Sequence, residues 1–363
     1  MKVLNLIWGC TTGGGIDKCF LTYAKMGEVD KDVVVVNVCI RPDNVDTNLK
    51  WLKLIGAHLI FIKSRKDLSW AKKLKSLVKE EQPDILFSHG FNGAIVLWVE
   101  HFLGVKKEIV LTYHGLYNPP SASKKPIAVL YNSLSVWIYK HVAKRVVCVS
   151  EDSRRQLLER GVEETKTITV HNGIAPFMTT IKVEMRSDVV NIVSCSRIDA
   201  IKGLNYLLEA LAKLKAEGYA YHYYMIGEGP ELEILKKQSK TLGLDGRVSF
   251  VGFQKNVEEW LNGADIFVIP SLQENHSIAV LEAMRAGKAI VATNVGGNGE
   301  SIRDQKDGLL VTARNVDFLC DALSKLISDA HLREKLAVSA KNRFSELFTE
   351  EAMLKNLISV LKN

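Results

Sequence analysis

A chain of 363 residues with 47% apolar and 25% charged side chains is too long for one hydrophobic core and too ordinary in composition for disorder, so two globular domains are expected. Six scattered cysteines with no C-x-x-C pair argue against a disulfide framework and suit a reducing cytoplasm, where free thiols bury as small apolar groups. The net charge of +7 is uneven: residues 1–180 hold 25 Lys and Arg against 17 Asp and Glu, the remainder 23 against 24. The first half therefore suits an anionic partner, unless the excess only solvates a lysine-rich face.

In chain order, Lys2 and the apolar run Val3–Trp8 imitate a signal peptide. The run is too short and breaks into Thr11-Thr12-Gly13-Gly14-Gly15, as a first strand entering a glycine turn would. Further short, non-alternating apolar runs follow at Val33–Cys39, Leu59–Ile62, Ile85–His89, Ile109–Tyr113 and Val146–Ser150. They read as parallel strands buried on both faces. Helical patterns lie between them at Asp17–Lys25, Leu68–Glu80, Gly93–Phe102 and Asp152–Arg160, the alternation of a doubly wound α/β domain. No apolar run approaches 18 residues, so no membrane span is expected.

After a weakly periodic stretch, Gly173–Asp188 with Pro176, the pattern restarts. Strands are expected at Val189–Ser196, His222–Ile226, Val248–Val251, Ile266–Pro270 and Ala289–Ala292, with helices at Gly203–Glu217, Glu231–Leu242 and Ala279–Ala286. The tail Asp317–Asn363 reads as mostly helix. The expected division is a first α/β domain over 1–178 and a second over 179–345, with a last helix at about 346–363 packing back on the first. Ligands of open α/β sheets bind beyond the carboxyl ends of the strands, so two facing domains would share one cleft.

The chemistry-bearing residues sit at those positions. Ser196-Arg197-Ile198-Asp199-Ala200-Ile201-Lys202-Gly203 joins a strand to a helix. Two cations beside free helix amides can hold a diphosphate, although spacing alone favours two solvated surface cations. Glu274-Asn275-His276-Ser277-Ile278-Ala279-Val280-Leu281-Glu282 follows another buried strand. Glu274 in the turn can accept sugar hydroxyls, Glu282 can hold ribose hydroxyls, and the amides of Ser277 and Ile278 add donors.

With these stretches stand Gly227-Glu228-Gly229-Pro230, Val248-Ser249-Phe250-Val251-Gly252-Phe253, Glu282-Ala283-Met284-Arg285-Ala286-Gly287-Lys288, Val295-Gly296-Gly297-Asn298-Gly299-Glu300 and Asp307-Gly308-Leu309-Leu310. Together, in this order, they resemble the retaining glycosyltransferases of family four, which have the GT-B fold of two Rossmann-like domains. The resemblance is strongest between 190 and 312. It implies that Arg197 and Lys202 neutralise the donor diphosphate, Glu274 binds the donor sugar and Glu282 the ribose. It also implies that Gly252 and Phe253 lie beside the base and that His114, in Thr112-Tyr113-His114-Gly115, faces the sugar. His89 is a weaker candidate, and Gly14 and Gly15 would approach phosphate or acceptor closely. Asn275-His276-Ser277 stands where the family often has Gly-Phe-Gly, so the pocket beside the sugar differs in shape.

The resemblance implies transfer of a hexose or N-acetylhexosamine with retention. The donor is a nucleotide sugar, UDP-linked as is common in the family, and the acceptor a saccharide or lipid-linked molecule of cell-surface polysaccharide or lipopolysaccharide synthesis. No cofactor is expected, since no D-x-D closes a strand and Arg197 and Lys202 can do the electrostatic work of a metal ion. The stretch 118–145 combines Lys124, Lys125, Lys140, Lys144 and Arg145 with Leu130, Tyr131, Leu134, Trp137 and Ile138, and has no acidic residue. It suits docking at the inner face of the cytoplasmic membrane or a core helix with a basic outer face. No nucleic-acid partner is expected. The rivals are a GT-B nucleotide-sugar epimerase, a non-catalytic nucleotide-sugar-binding protein and an NAD-dependent oxidoreductase. The last has only the glycine turn, without the G-x-G-x-x-G register.

Overall fold

A computed structural model describes residues 1–9, 15–42, 49–64, 67–115, 125–176 and 179–363. The backbone divides into two compact units, residues 1–172 with 350–363 and residues 173–349. The division falls six residues before the 178/179 boundary expected from the linker composition.

The first unit carries β1 (Lys2–Trp8), α1 (Gly15–Tyr23), α2 (Met26–Val29), β2 (Val34–Pro42), α3 (Leu49–Leu54), β3 (His58–Ile62), α4 (Ser69–Glu81), β4 (Ile85–His89), α5 (Gly90–Phe102), β5 (Glu108–Tyr113), α6 (Lys125–His141), β6 (Arg145–Cys148), α7 (Glu151–Leu158) and β7 (Thr167–Thr169). Its seven parallel strands run in the order β3-β2-β1-β4-β5-β6-β7. One face buries Leu4, Leu6, Val38, Leu86 and Leu111 under the flanking helices. The other buries Val3, Phe87, Val110 and Val147.

The second unit carries β8 (Val190–Cys195), α8 (Leu204–Ala216), β9 (Tyr221–Ile226), α9 (Leu232–Thr241), β10 (Val248–Gly252), α10 (Val257–Gly263), β11 (Ile266–Ile269), α11 (Ile278–Arg285), β12 (Ala289–Thr293), α12 (Asn298–Ser301), β13 (Leu309–Val311), α13 (Val316–Ser328) and α14 (Ala330–Leu347). Six parallel strands run β10-β9-β8-β11-β12-β13. Strand order reverses beside β1 in the first sheet and beside β8 in the second, the switch points at which open α/β sheets bind ligands.

The last helix, α15 (Glu350–Lys362), belongs to the first unit. Its apolar stripe Met353, Leu354, Leu357, Ile358 and Leu361 repeats at helical spacing and is buried against Val3, Cys19, Tyr23 and Met26. Five such side chains contribute roughly 1.5–3 kcal/mol each. Lys25–Glu350 at 2.8 Å and Lys362–Asp30 at 2.6 Å pin its two ends.

Six short elements are absent from the sequence reading: α2, α3, α10, α12, β7 and β13. All are of three to seven residues, too short for periodicity to register. The basic stretch 118–145 is mostly α6. Cys19, Cys39, Cys148 and Cys320 are buried free thiols and Cys195 is half-buried; Cys10 lies outside the described residues.

Candidate active site

In the second unit the loops leaving β8, β9, β11 and β12 are stitched together by backbone bonds. Ile198 N donates to Glu228 O at 2.8 Å, Leu272 N to Ile201 O at 2.7 Å, and Gly297 N to Asn275 O at 2.8 Å. Two glycines are required by this closeness. At Gly203 φ is +61°, and a Cβ would lie 2.2 Å from Pro270 O. At Gly296 φ is +52°, and a Cβ would lie 1.8 Å from Glu274 O. No other residue fits either position without moving the loop that carries the charged groups.

That stitching brings Lys202, just before α8, onto Glu274, after β11. Lys202 Nζ lies 2.7 Å from Glu274 Oε1, and Ser271 Oγ donates to the same oxygen at 2.7 Å. Both charged side chains are largely buried, at 19% and 10% exposure. The sequence assigns Lys202 to a diphosphate and Glu274 to a sugar; in the structure the two form one ion pair at the switch-point strands β8 and β11. Arg197 is 63% exposed and pairs with Asp199 at 2.8 Å, so its guanidinium stands at the surface of the same loop. Ser271 and Asp199 were not singled out in the sequence. Their signal was spacing, three residues from Glu274 and two from Arg197.

Ser277 caps α11, its hydroxyl accepting from Val280 N at 3.5 Å. The first-turn amides from Ile278 onward lack intrahelical partners, as at any helix start. Glu282 lies on this helix, partly exposed. Asn275 is held through its carbonyl by Gly297. His276 departs from its assignment as a donor contact. Its ring is buried, with Nε2 3.1 Å from Ser301 Oγ and its centroid 5.5 Å from that of Phe348. The imidazole therefore packs inward, toward Ser301 and Phe348. Gly252 ends the edge strand β10 with φ +77°, and Phe253 beyond it is 59% exposed, an open aromatic face at the carboxyl end of the sheet.

Other motif residues prove structural. Arg285 is buried and bonded to Ala175 O at 2.8 Å and Glu258 at 2.6 Å. Asp307 is fully buried and held by Arg303 and Ser339.

In the first unit Gly15 opens α1, while Gly14 lies outside the described residues. His114 follows β5, and burial pushes its pKa down to about 4. Its Nε2 has no hydrogen-bond partner among the described residues. His89, at the end of β4, is buried with Nε2 2.7 Å from Asn5 Oδ1, and its ring centroid is 6.3 Å from that of His114. Asn5 was missed, although an amide inside the apolar run of β1 is a signal.

Of the cations in 118–145, Lys124 lies outside the described residues. Lys144 pairs with Glu108 at 2.6 Å, and Arg145 is 14% exposed. The surface of α6 is instead apolar, with Val129, Leu130 and Trp137 exposed. Trp137 packs on Trp98, one turn from the 82%-exposed Phe102. No helix of the described residues is long and apolar enough to cross a membrane.

Two parallel α/β units, each with its polar residues beyond the switch-point strands, define a GT-B type protein. The comparisons agree. The family model described as Glycosyl transferases group 1 matches residues 182–343, and that described as Glycosyltransferase Family 4 matches residues 32–176. The chain belongs to this family of glycosyltransferases.

It is similar to the lipopolysaccharide core biosynthesis glycosyltransferase LpsE of Rhizobium meliloti, 24% identical over 80% of this chain and 78% of that protein. It is also similar to the UDP-Gal:alpha-D-GlcNAc-diphosphoundecaprenol alpha-1,3-galactosyltransferase of Escherichia coli, 25% identical over 73% and 71%. Among solved structures, Anabaena HepE in complex with UDP-glucose superposes with a TM-score of 0.81 over 100% of this chain and 99% of that one, at 20% identity.

Proposed function

We propose that this glycosyltransferase moves a hexose or N-acetylhexosamine, with retention, from a UDP-linked donor to a saccharide or lipid-linked acceptor in cell-surface polysaccharide synthesis, without a metal ion. The observation that carries the reading is the Lys202–Glu274 pair at the switch point of the second sheet. The Lys202 ammonium, with Arg197 five residues earlier on the same loop, balances the charge that grows on the diphosphate as the C1–O bond breaks. Glu274 accepts hydrogen bonds from sugar hydroxyls, Glu282 from the ribose, and Phe253 offers its face to the base. The acceptor oxygen bonds to C1 on the side the diphosphate leaves, and its proton passes to a phosphate oxygen. No protein nucleophile is needed. The activities of the LpsE and galactosyltransferase relatives support the acceptor class. The exposed apolar face of α6 supports a peripheral position on the inner face of the membrane.

The test is thermal unfolding with UDP, UDP-glucose, UDP-galactose, UDP-N-acetylglucosamine, GDP-mannose and NAD. A ligand at 100 times its Kd adds about 2.7 kcal/mol. Stabilisation by a UDP-sugar, and turnover that survives EDTA, are expected. Stabilisation by NAD alone, or a strict metal requirement, would overturn the reading.

A further inference from the structure

We propose that Ser271 is a positioning residue for the reaction: its hydroxyl holds Glu274 by Oε1 when a diphosphate draws the Lys202 ammonium away, so that Oε2 is the oxygen the sugar meets. The inference rests on the reading that Lys202 serves the diphosphate and Glu274 the sugar.

Ser271 lies two residues beyond β11 and is fully buried. Its backbone is fixed without help from its hydroxyl. Thr293, the last residue of β12, donates its own hydroxyl to the Ser271 carbonyl. Asn298 Nδ2 holds the Thr293 carbonyl in turn at 3.0 Å, and both Thr293 and Asn298 are fully buried. On one side Leu272 N donates to Ile201 O at 2.7 Å. On the other, Pro270 O stands so close to Gly203 that a Cβ there would lie 2.2 Å away. The serine is thus tied both to β12 and to the loop that carries Lys202, and its hydroxyl is left with one hydrogen to give. An ionised carboxylate only accepts, so that hydrogen points at Glu274 Oε1, 2.7 Å from Ser271 Oγ.

Two donors therefore meet at Oε1, the Ser271 hydroxyl and the Lys202 ammonium, each at 2.7 Å. No hydrogen bond from a described residue reaches Oε2. A ligand acts differently on the two donors. The ammonium is a full charge on a flexible four-carbon stem, and a diphosphate attracts it while repelling the carboxylate beside it. The hydroxyl is neutral and sits on a short stem whose backbone is already held. Glu274 is only 10% exposed, and a carboxylate at that depth whose cation is drawn off needs another donor. Ser271 is that donor. With Oε1 held, the carboxylate does not turn to follow the ammonium, and Oε2 keeps one place for a sugar hydroxyl.

The variants are Ser271→Ala, Glu274→Ala and the two combined. Urea unfolding without ligand reads the bond itself: the double variant should lose less stability than the two single losses together. Calorimetry reads the role. Ser271→Ala should lower the affinity for UDP several-fold, because the ammonium is then the one donor Glu274 has and is shared less readily. The affinity for UDP-glucose divided by that for UDP should fall about tenfold, in line with the loss of a hydrogen bond to a charged group. In the Glu274→Ala background, Ser271→Ala should change neither value. A serine that only braces the loop would act equally in both backgrounds.

Additive losses in urea, an unchanged affinity ratio in Ser271→Ala, or an equal fall in the two backgrounds would overturn the proposal. If Lys202→Ala leaves the affinity for UDP unchanged, the diphosphate reading fails instead, and the urea cycle still decides whether Ser271 holds Glu274.

Discussion

Lys202 and Glu274 are 72 residues apart in sequence and 2.7 Å apart in space. On the proposed function, their ion pair sets opposite charges where a diphosphate and a sugar would meet. Lys202→Ala should lower turnover by about 10²-fold or more, the cost of one preorganised donor. Glu274→Gln separates the two roles. It removes the anion that competes for the ammonium, so affinity for UDP alone should rise by about fivefold, roughly 1 kcal/mol. Affinity for the UDP-sugar should not rise with it. Calorimetry on both ligands checks this, and weaker UDP binding in Glu274→Gln would contradict the shared site.

His276 illustrates a loop residue that works from beneath. Its ring is buried between Ser301 and Phe348, so it fastens the Glu274 loop to the end of α14. His276→Ala should cost about 2–4 kcal/mol in urea unfolding, by cavity formation and loss of the Ser301 bond. His276→Phe keeps the volume and should cost less than half of that. Equal losses in the two variants would show that packing is not its role.

Two buried groups of the first unit drive stability in opposite directions with pH. The His114 pKa is depressed to about 4 in the folded state. The unfolded chain therefore binds the proton first, and stability is lost as pH falls from about 6.5 toward 4, by about 3 kcal/mol at full extent. Glu100 is fully buried, and neither carboxylate oxygen has a hydrogen-bond partner among the described residues. Burial raises its pKa to about 7, against the opposing pull of Lys75. Here the folded state keeps the proton, and stability is lost as pH rises from about 4.5 through 7. Glu100→Gln should therefore stabilise the protein at pH 8 and change little at pH 4. His114→Phe should flatten the acid side of the profile. Urea midpoints across pH 4–8 for both variants and the parent measure each slope.

The two sheets were legible because parallel strands buried on both faces are written as short continuous apolar runs, and nearly every such run became a strand. The positions of Arg197, Lys202, Glu274 and Glu282 were legible as motif residues after those runs. Their pairing was not. That Lys202 meets Glu274 depends on β8 and β11 being neighbours in the sheet, a non-consecutive pairing that no local pattern encodes. The same holds for Asn5, Asn37 and His89, which register assembles from three strands. The inward turn of His276 was hidden for another reason: a histidine in a loop motif reads as chemistry until its burial is seen.

The exposed face of α6 makes the last prediction. Leu130 and Trp137 lie two turns apart on one side of the helix, and Trp137 continues through Trp98 to Phe102 at the end of α5. Of the three cations in this stretch whose side chains are described, Lys140, Lys144 and Arg145, two are spent: Lys144 on Glu108, and Arg145 on Val360 O and Glu108. Binding to a bilayer should therefore depend more on apolar insertion than on charge. Each large side chain contributes roughly 1.5–3 kcal/mol when buried, whereas a cation near an anionic surface contributes about 1 kcal/mol. Leu130→Ser with Trp137→Ser should weaken sedimentation with phosphatidylglycerol vesicles at least tenfold. Lys140→Gln should weaken it only a few-fold, and raised salt should act no more strongly than that. Equal binding by the double serine variant and the parent would remove the membrane role from α6, leaving its exposed aromatics to a soluble partner.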